Sequence, residues 1–214
     1  MRSNELDLLA LQETKVRHSA KPPRFPPGIS WVGRGRENSS SDIGVNKNPG
    51  GGVSWLIAPS IQFRLPEIGS NLQKVDVERE WVWVTVVVPG EGRLIHMCSV
   101  YWSPNAKIDT KLLCEQIELL QATGSVILLG DFNANLLAKN KGHYKPLNKL
   151  IKDSGLIILN SADSRELIPT HIPVSSKKNG PTPSVLDLIL VENKVQGTKD
   201  FQLNVKEVCA GGHH

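Results

Sequence analysis

The chain has 214 residues, of which 39% are hydrophobic, so it can bury one substantial core but is too short for two domains of ordinary size. Its net charge of +4 and its pI near 9.0 favour a polyanionic partner such as nucleic acid, although a few spare lysines on a soluble protein would give the same balance. Cys98, Cys114 and Cys209 are odd in number, lie far apart and lack CxxC spacing, which argues against a disulfide framework or a structural zinc site and favours a reducing compartment.

The N-terminal segment carries Arg2, Glu5 and Asp7 among its leucines and therefore is neither a signal peptide nor a membrane span. Residues 6–12 form an apolar run that predicts a buried strand, with a polar end at Glu13. The longest apolar stretch elsewhere in the chain is only of strand length, so we predict no membrane anchor.

Residues 33–52 are rich in Gly, Ser, Asn and charge, which predicts a mobile segment, and residues 53–57 resume as a strand. Residues 81–88 and 94–102 are rich in β-branched and aromatic side chains and are separated by Pro-Gly-Glu-Gly. This pattern predicts two adjacent antiparallel strands.

Two helices follow, each leading into a strand. The first is predicted to start at an Asp109 N-cap and to end at Gly124, and the second to stop near Gly155. The strands after them cover residues 125–129 and 156–159. A last apolar run at residues 186–191 completes a predicted two-layer β-sandwich flanked by helices.

An apolar strand ends in Gly130 and then presents Asp131 and Asn133, two residues apart. Strand periodicity predicts that both side chains point the same way. A carboxylate that orients or deprotonates water, beside an amide that stabilises phosphorane charge, suits phosphodiester hydrolysis. The alternative is an Asx turn that only caps the strand.

A second carboxylate, Glu13, stands at the end of the first predicted strand. Mg²⁺ binds one or two carboxylates, retains waters and leaves sites for substrate phosphate, so Glu13 is a candidate metal ligand. The alternative is a solvated strand terminus.

Four strings together resemble the endonuclease/exonuclease/phosphatase superfamily in order and spacing. They are Leu-Gln-Glu-Thr at 11–14, Tyr-Trp-Ser-Pro at 101–104, Gly-Asp-Phe-Asn-Ala at 130–134 and Ser-Val-Leu-Asp-Leu-Ile at 184–189. The last string, in its surroundings, is similar to the endonucleases of non-LTR retrotransposons. The resemblance covers nearly the whole chain and implies one DNase I-like domain, an α/β four-layer sandwich of two mostly antiparallel sheets flanked by helices.

The resemblance also implies roles for individual residues. Glu13 is similar to the ligand of Mg²⁺ (or Mn²⁺), and Tyr101 to the phenol that hydrogen-bonds the scissile phosphate, although it could equally be a core aromatic. Asp131 matches the residue that orients or deprotonates the water, and Asn133 its partner at the phosphate. Asp187 matches the carboxylate that orients a catalytic histidine, and its place in an apolar run predicts burial beside such a partner.

The terminal motif differs from the family pattern. Where relatives close with Ser-Asp-His, this chain has Gly212 before His213, so His213 is either the catalytic histidine of a diverged motif or, with residues 211–214, part of an engineered tag. We also expect the first strand of the family, with its Asn, to be missing ahead of Glu13, which would reduce activity.

The resemblance places residues 169–183 as a hairpin beside the active site, where basic and polar side chains could enter a DNA groove. A solvated charged turn is the alternative. The candidate nucleic-acid-binding residues are Thr170, His171, Lys177, Lys178, Asn179 and Ser184.

The leading hypothesis is a magnesium-dependent endonuclease that nicks DNA, in the nucleus, for a non-LTR retrotransposon whose reverse transcriptase is fused or adjacent. One alternative is a phosphatase or phospholipase of the same fold. Another is a weakened or inactive remnant that binds DNA with a salt-dependent affinity and does not cleave it. The sequence gives neither the target site nor the oligomeric state.

Overall fold

A computed structural model describes residues 7–14, 24–34, 51–68, 80–138, 142–159 and 185–193. Over these residues the chain forms strands, with two helices interposed between the later ones. In chain order the elements are β1 (Leu8–Gln12), β2 (Ser30–Arg34), β3 (Val53–Ile57), β4 (Phe63–Arg64), β5 (Glu80–Val87), β6 (Leu94–Tyr101), α1 (Lys111–Gln121), β7 (Ser125–Asp131), α2 (Tyr144–Ser154), β8 (Leu156–Ile158) and β9 (Asp187–Glu192).

The described strands form two sheets. The smaller has the order β1-β3-β2 and is antiparallel, whereas the larger has the order β4-β5-β6-β7-β9-β8. Within the described strands, β6 and β7 alone pair in parallel, and α1 supplies the crossover that a parallel pair requires. This crossover brings the ends of β6 and β7 to the same edge of the sheet.

The two faces of the larger sheet have different partners. Cys98 and Val100 of β6 pack with α1 and α2 in a large core, whereas Met97 on the opposite face joins a cluster around Trp55 and Val84 that links the two sheets. The alternation of side chains along each strand produces this division. The α/β class, with two facing sheets and flanking helices, is as predicted.

The hairpin and both helices were predictable from local sequence. β5 and β6 pair antiparallel as expected, and α2 ends at Ser154 with Gly155 as its C-cap, whose φ is 69°. The N-cap of α1 is Thr110 rather than Asp109, but the Asp109 carboxylate still accepts the Lys111 N–H at 3.0 Å. Asp109 therefore satisfies a helix-start donor from one position earlier.

Other expectations need correction. β1 is an edge strand of its described sheet and is only half-buried, because nothing described pairs with its outer side. β2 and β4 were not predicted: β2 is short and contains a glycine, and β4 spans two residues. β2 also takes up Gly33 and Arg34, the start of the segment predicted to be mobile, and residues 35–50 of that segment lie outside the described residues.

In the part of the chain that the structure describes, no helix is long and apolar enough to span a membrane. Both α1 and α2 have 11 residues, whereas a bilayer crossing takes about 20.

Candidate active site

Four polar residues occupy one row across the larger sheet. Glu80 pairs with Tyr101, Tyr101 with Asp131, and Asp131 with Asp187. Directly paired residues on adjacent strands place their side chains on the same face. By the alternation along β6, this is the face toward the smaller sheet, on which Met97 also lies.

Glu13 reaches this row from the other sheet. It directly follows β1, and its Oε1 accepts a hydrogen bond from the Tyr101 phenol at 2.6 Å. Gln12 Nε2 donates to Ser99 Oγ at 3.0 Å, which ties the tip of β1 to β6 at a second point. Glu13 has a φ of 51°, a conformation that non-glycine residues seldom adopt outside special sites.

The Tyr101 phenol lies among carboxylates in a buried position. Burial is the main cause that raises its pKa well above the usual 10.0, and the hydrogen bond and charge of Glu13 and the charges of Asp131 and Glu80 act in the same direction. The phenol is therefore protonated at neutral pH. It is a hydrogen-bond donor in this site, not a base.

Asp131 is held by Asn133 through two hydrogen bonds. Its Oδ1 accepts the backbone N–H of Asn133 at 2.9 Å, and its Oδ2 accepts from Asn133 Nδ2 at 3.1 Å. Asn133 Nδ2 also donates to the carbonyl of Trp102 at 2.8 Å. Because a carboxamide nitrogen has two hydrogens, both are engaged, and in this conformation Asn133 orients the Asp131 carboxylate.

Strand periodicity, which predicted that Asp131 and Asn133 point the same way, does not bring them together. β7 ends at Asp131, so Asn133 is not part of a strand, and its φ of 45° is left-handed. An Asx turn, the alternative interpretation, brings the two side chains together. The turn and the candidate catalytic pair are thus the same feature.

Gly130 allows β7 to approach β6 at this point. Its φ is 149°, and a Cβ at this position would lie 1.9 Å from the carbonyl oxygen of Val100. The Trp102 N–H then donates to the Asp131 carbonyl at 2.9 Å. The glycine before Asp131 is therefore a steric requirement of the site.

Two residues beside the site were missed in the sequence. Glu80 is a buried carboxylate at the start of β5, and its Oε2 accepts the Gly52 N–H at 2.7 Å. His143 is buried against Trp102, and its Nε2 is 2.9 Å from the Ser103 carbonyl. An acidic residue at the head of an apolar strand was a usable signal for Glu80, whereas no local pattern distinguishes His143.

Asp187 does not have the predicted environment. It is the first residue of β9 and is exposed, so the expected burial is wrong. Its backbone is nevertheless in register with Asp131. The remaining candidates lie outside the described residues: His213, Thr170, His171, Lys177, Lys178, Asn179 and Ser184.

The donor chemistry fits a magnesium ion that is bound mostly by water and substrate. Among the described residues no group of three or more His, Cys, Asp or Glu side chains could hold a metal. Glu13 is an exposed, hard oxygen donor beside the phenol of Tyr101. Mg²⁺ commonly binds through one or two carboxylates together with waters and phosphate oxygens.

Comparison with known proteins gives a family and a fold. The profile of the endonuclease-reverse transcriptase family matches residues 95–209, which is more than half of the chain and includes Tyr101, Asp131, Asn133 and Asp187. No curated protein matches the sequence.

Solved structures with the same fold share little sequence with this chain. The endonuclease domain of TRAS1, a telomere-specific non-LTR retrotransposon, has a TM-score of 0.54 at 15% identity, covering 88% of this chain and 74% of its own. The AP endonuclease LMAP from Leishmania major has a TM-score of 0.62 at 14% identity, covering 89% and 71%. A 3′ phosphatase, NExo, from Neisseria, solved with a product DNA hairpin, has a TM-score of 0.55 at 19% identity, covering 90% and 79%.

The similar structures therefore indicate the DNase I-like fold, and the profile match indicates the family. The chain belongs to the endonuclease-reverse transcriptase family, within the endonuclease/exonuclease/phosphatase superfamily.

Proposed function

We propose that this chain is a divalent-metal-dependent phosphodiesterase that nicks DNA for a non-LTR retrotransposon. The observation that carries the proposal is the meeting of Glu13, Tyr101 and Asp131 from three strand ends, with the Tyr101 phenol 2.6 Å from Glu13 and Asp131 beside Tyr101 in the sheet. Together they bring a possible metal ligand, a hydrogen-bond donor and a carboxylate that can activate water to one point, which suits the hydrolysis of a phosphodiester.

Each described residue has a role in the proposed reaction. Asp131, fixed by Asn133, orients the attacking water and accepts its proton. Tyr101 stays protonated and donates a hydrogen bond to a phosphate oxygen in exchange for its bond to Glu13. Asn133 keeps the carboxylate in place, and one of its N–H groups reaches the phosphate only if it leaves its present acceptor.

Glu13, with waters and the substrate phosphate, would hold Mg²⁺ or Mn²⁺. When bound, such an ion polarises a phosphoryl oxygen and neutralises the charge that develops there. Asp187 would orient a histidine, for which His213 is the candidate in the sequence.

DNA is the proposed substrate because the chain carries a net charge of +4 and because its family joins endonucleases to reverse transcriptases. We propose that the chain acts beside a reverse transcriptase and in the nucleus, where chromosomal DNA is. The basic residues at 169–183 remain candidates for contacts to the DNA groove.

A plasmid-relaxation assay with Mg²⁺ tests the proposal. We expect nicking that stops with EDTA and falls by about 10²- to 10⁴-fold in Asp131→Ala, since general acid–base groups contribute rate factors of this size. Asp153→Asn, on the exposed surface of α2, is the matched control and should nick like the wild type.

Three outcomes distinguish the candidates. Nicking that both EDTA and Asp131→Ala abolish supports the endonuclease. DNA binding without nicking would identify a non-catalytic remnant, and its affinity should fall steeply with salt. Release of inorganic phosphate from a 3′-phosphorylated DNA, without nicks in intact plasmid, would favour a phosphatase.

A further inference from the structure

Glu80 lies deep between the two sheets at the start of β5, and only 6% of its surface is exposed. It pairs in the sheet with Tyr101, so its side chain points to the same face as the candidate catalytic row. Burial of a carboxylate costs free energy unless strong hydrogen bonds compensate it. The burial of this carboxylate beside Tyr101 therefore indicates that Glu80 makes a specific contact there.

The Glu80 carboxylate binds the backbone of the other sheet. Its Oε2 accepts the N–H of Gly52 at 2.7 Å, a short hydrogen bond that lies in the buried interior. The carbonyl of the same Gly52 accepts the N–H of Thr14 at 3.2 Å. Thr14 directly follows Glu13, so a continuous chain of contacts leads from Glu80 to the candidate metal ligand.

The glycines before β3 make this contact possible. Gly51 and Gly52 have φ values of 89° and 94°, a region that side chains rarely adopt. A Cβ on Gly51 would lie 2.3 Å from Glu80 Oε2, in the space that the carboxylate occupies. Only glycine at position 51 leaves room for the Glu80 carboxylate.

Glu13 needs such support, because it stands in a left-handed conformation with a φ of 51°. A non-glycine residue persists there only when its surroundings hold it. The hydrogen bond from Tyr101 holds its side chain, and the Gly52–Thr14 contact holds the backbone after it. Glu80 fixes the Gly52–Thr14 contact, because its carboxylate accepts the Gly52 N–H.

We infer that Glu80 is a positioning residue, which clamps the Gly51–Gly52 backbone and thereby holds Glu13 beside Tyr101 in the geometry that binds the metal. The inference rests on the proposed metal-dependent function. Glu80 is assigned no contact with metal or substrate. Its positioning effect depends on the length of the side chain rather than on its charge.

Three substitutions of Glu80 separate the effect of side-chain length from the effect of side-chain charge. Glu80→Gln keeps the length and an oxygen that can accept the Gly52 N–H, Glu80→Asp keeps the charge but is one methylene shorter, and Glu80→Ala removes both. Glu115→Gln, an exposed glutamate of α1, is the matched control. Mn²⁺ affinity, hydrogen–deuterium exchange of the Gly52 and Thr14 amides, and the nicking rate are measured for each.

We expect Glu80→Ala and Glu80→Asp to lose about 10- to 100-fold in Mn²⁺ affinity, as is usual when support of a metal ligand is removed, and their Gly52 and Thr14 amides to exchange faster. Glu80→Gln should lose about threefold at most, since a neutral acceptor replaces a charged one. If Glu80→Ala does not fold, the comparison of the Asp and Gln variants still tests the inference.

The inference would be overturned if Glu80→Asp retained Mn²⁺ affinity and Glu80→Gln lost it, because charge and not reach would then be the cause. Unchanged amide exchange at Gly52 and Thr14 in a folded Glu80→Ala or Glu80→Asp protein would also overturn it. If the Glu80 variants show the expected order of Mn²⁺ affinities but the wild-type protein does not nick DNA, the inference is supported and only the proposed function is contradicted. A wild-type protein without Mn²⁺ affinity would overturn both.

Discussion

Tyr101 and Glu13, 88 positions apart in the chain, are joined by a 2.6 Å hydrogen bond from the phenol to Oε1. Tyr101 ends β6 of the larger sheet, and Glu13 follows β1 of the smaller one. The bond therefore spans the two sheets at the point where their polar ends meet. The geometry of the candidate site depends on how the sheets pack, and it is sensitive to single substitutions on either side.

Tyr101→Phe removes the phenol and leaves the ring. We expect the nicking rate to fall by about 10²-fold, as on loss of one hydrogen-bond donor to the transition state. Glu13 is exposed and water replaces the lost partner, so the free energy of unfolding should change by about 1 kcal/mol or less. Plasmid relaxation and urea unfolding measure the two effects, and an undiminished rate would exclude Tyr101 from the reaction.

Two substitutions of Asn133 separate the effect of its left-handed backbone conformation from the effect of its side-chain amide. Its φ of 45° costs an alanine about 1–2 kcal/mol and a glycine almost nothing. The greater freedom of glycine in the unfolded chain offsets part of this difference, so Asn133→Gly should be more stable than Asn133→Ala by up to about 1 kcal/mol.

Both Asn133 variants lose the side-chain bond to Asp131 and should nick at least about tenfold more slowly. Urea unfolding and the nicking rate of the two proteins give the comparison. A glycine variant with full activity would show that the turn alone, without the amide, is sufficient.

Gly130→Ala tests the close approach of β7 to β6. The added Cβ would lie 1.9 Å from the Val100 carbonyl oxygen, so we expect a loss of about 3 kcal/mol or more in the free energy of unfolding. Gly90→Ala is the control, since its φ of 79° is also left-handed but its Cβ meets no atom within 4 Å. It should lose only about 1–2 kcal/mol, and equal losses would contradict the steric explanation.

His96 makes stability depend on pH. Burial, with a smaller effect of the Arg64 charge, lowers the pKa of this imidazole from 6.5. Its ring nitrogens lie 2.9 Å from Thr85 Oγ1 and 3.0 Å from Thr123 Oγ1, so the neutral form is already satisfied by two hydroxyls.

A histidine whose folded pKa is depressed binds more protons when unfolded, so its stabilising effect is complete above pH 6.5 and is lost as the pH falls toward the folded pKa. As the pH is lowered from 6.5, we expect the melting temperature of the wild-type protein to fall, and that of His96→Gln to fall less steeply. Parallel pH profiles of the two proteins would refute the linkage.

Local sequence was sufficient for much of this protein. The apolar run before Gly130 and the Asp-Phe-Asn string marked the end of a buried strand and a candidate catalytic pair, and Pro-Gly-Glu-Gly between two β-rich runs marked a hairpin. These features arise from side-chain periodicity and turn chemistry, which act over a few residues. The strand end at residues 6–12 had marked Glu13, and the family strings added Tyr101 and Asp187 as candidates, with no indication of the distances between the three side chains.

Only the tertiary structure decided how those candidates meet. The bond of Glu13 to Tyr101 and that of Glu80 to Gly52 cross 88 and 28 positions, and both depend on the packing of two sheets. It also decided that Asn133 reaches Asp131 through a left-handed turn and that Asp187 is exposed. Contacts of this kind depend on the register and the packing of strands that lie far apart in the sequence. The residues next to each contacting side chain do not specify that packing.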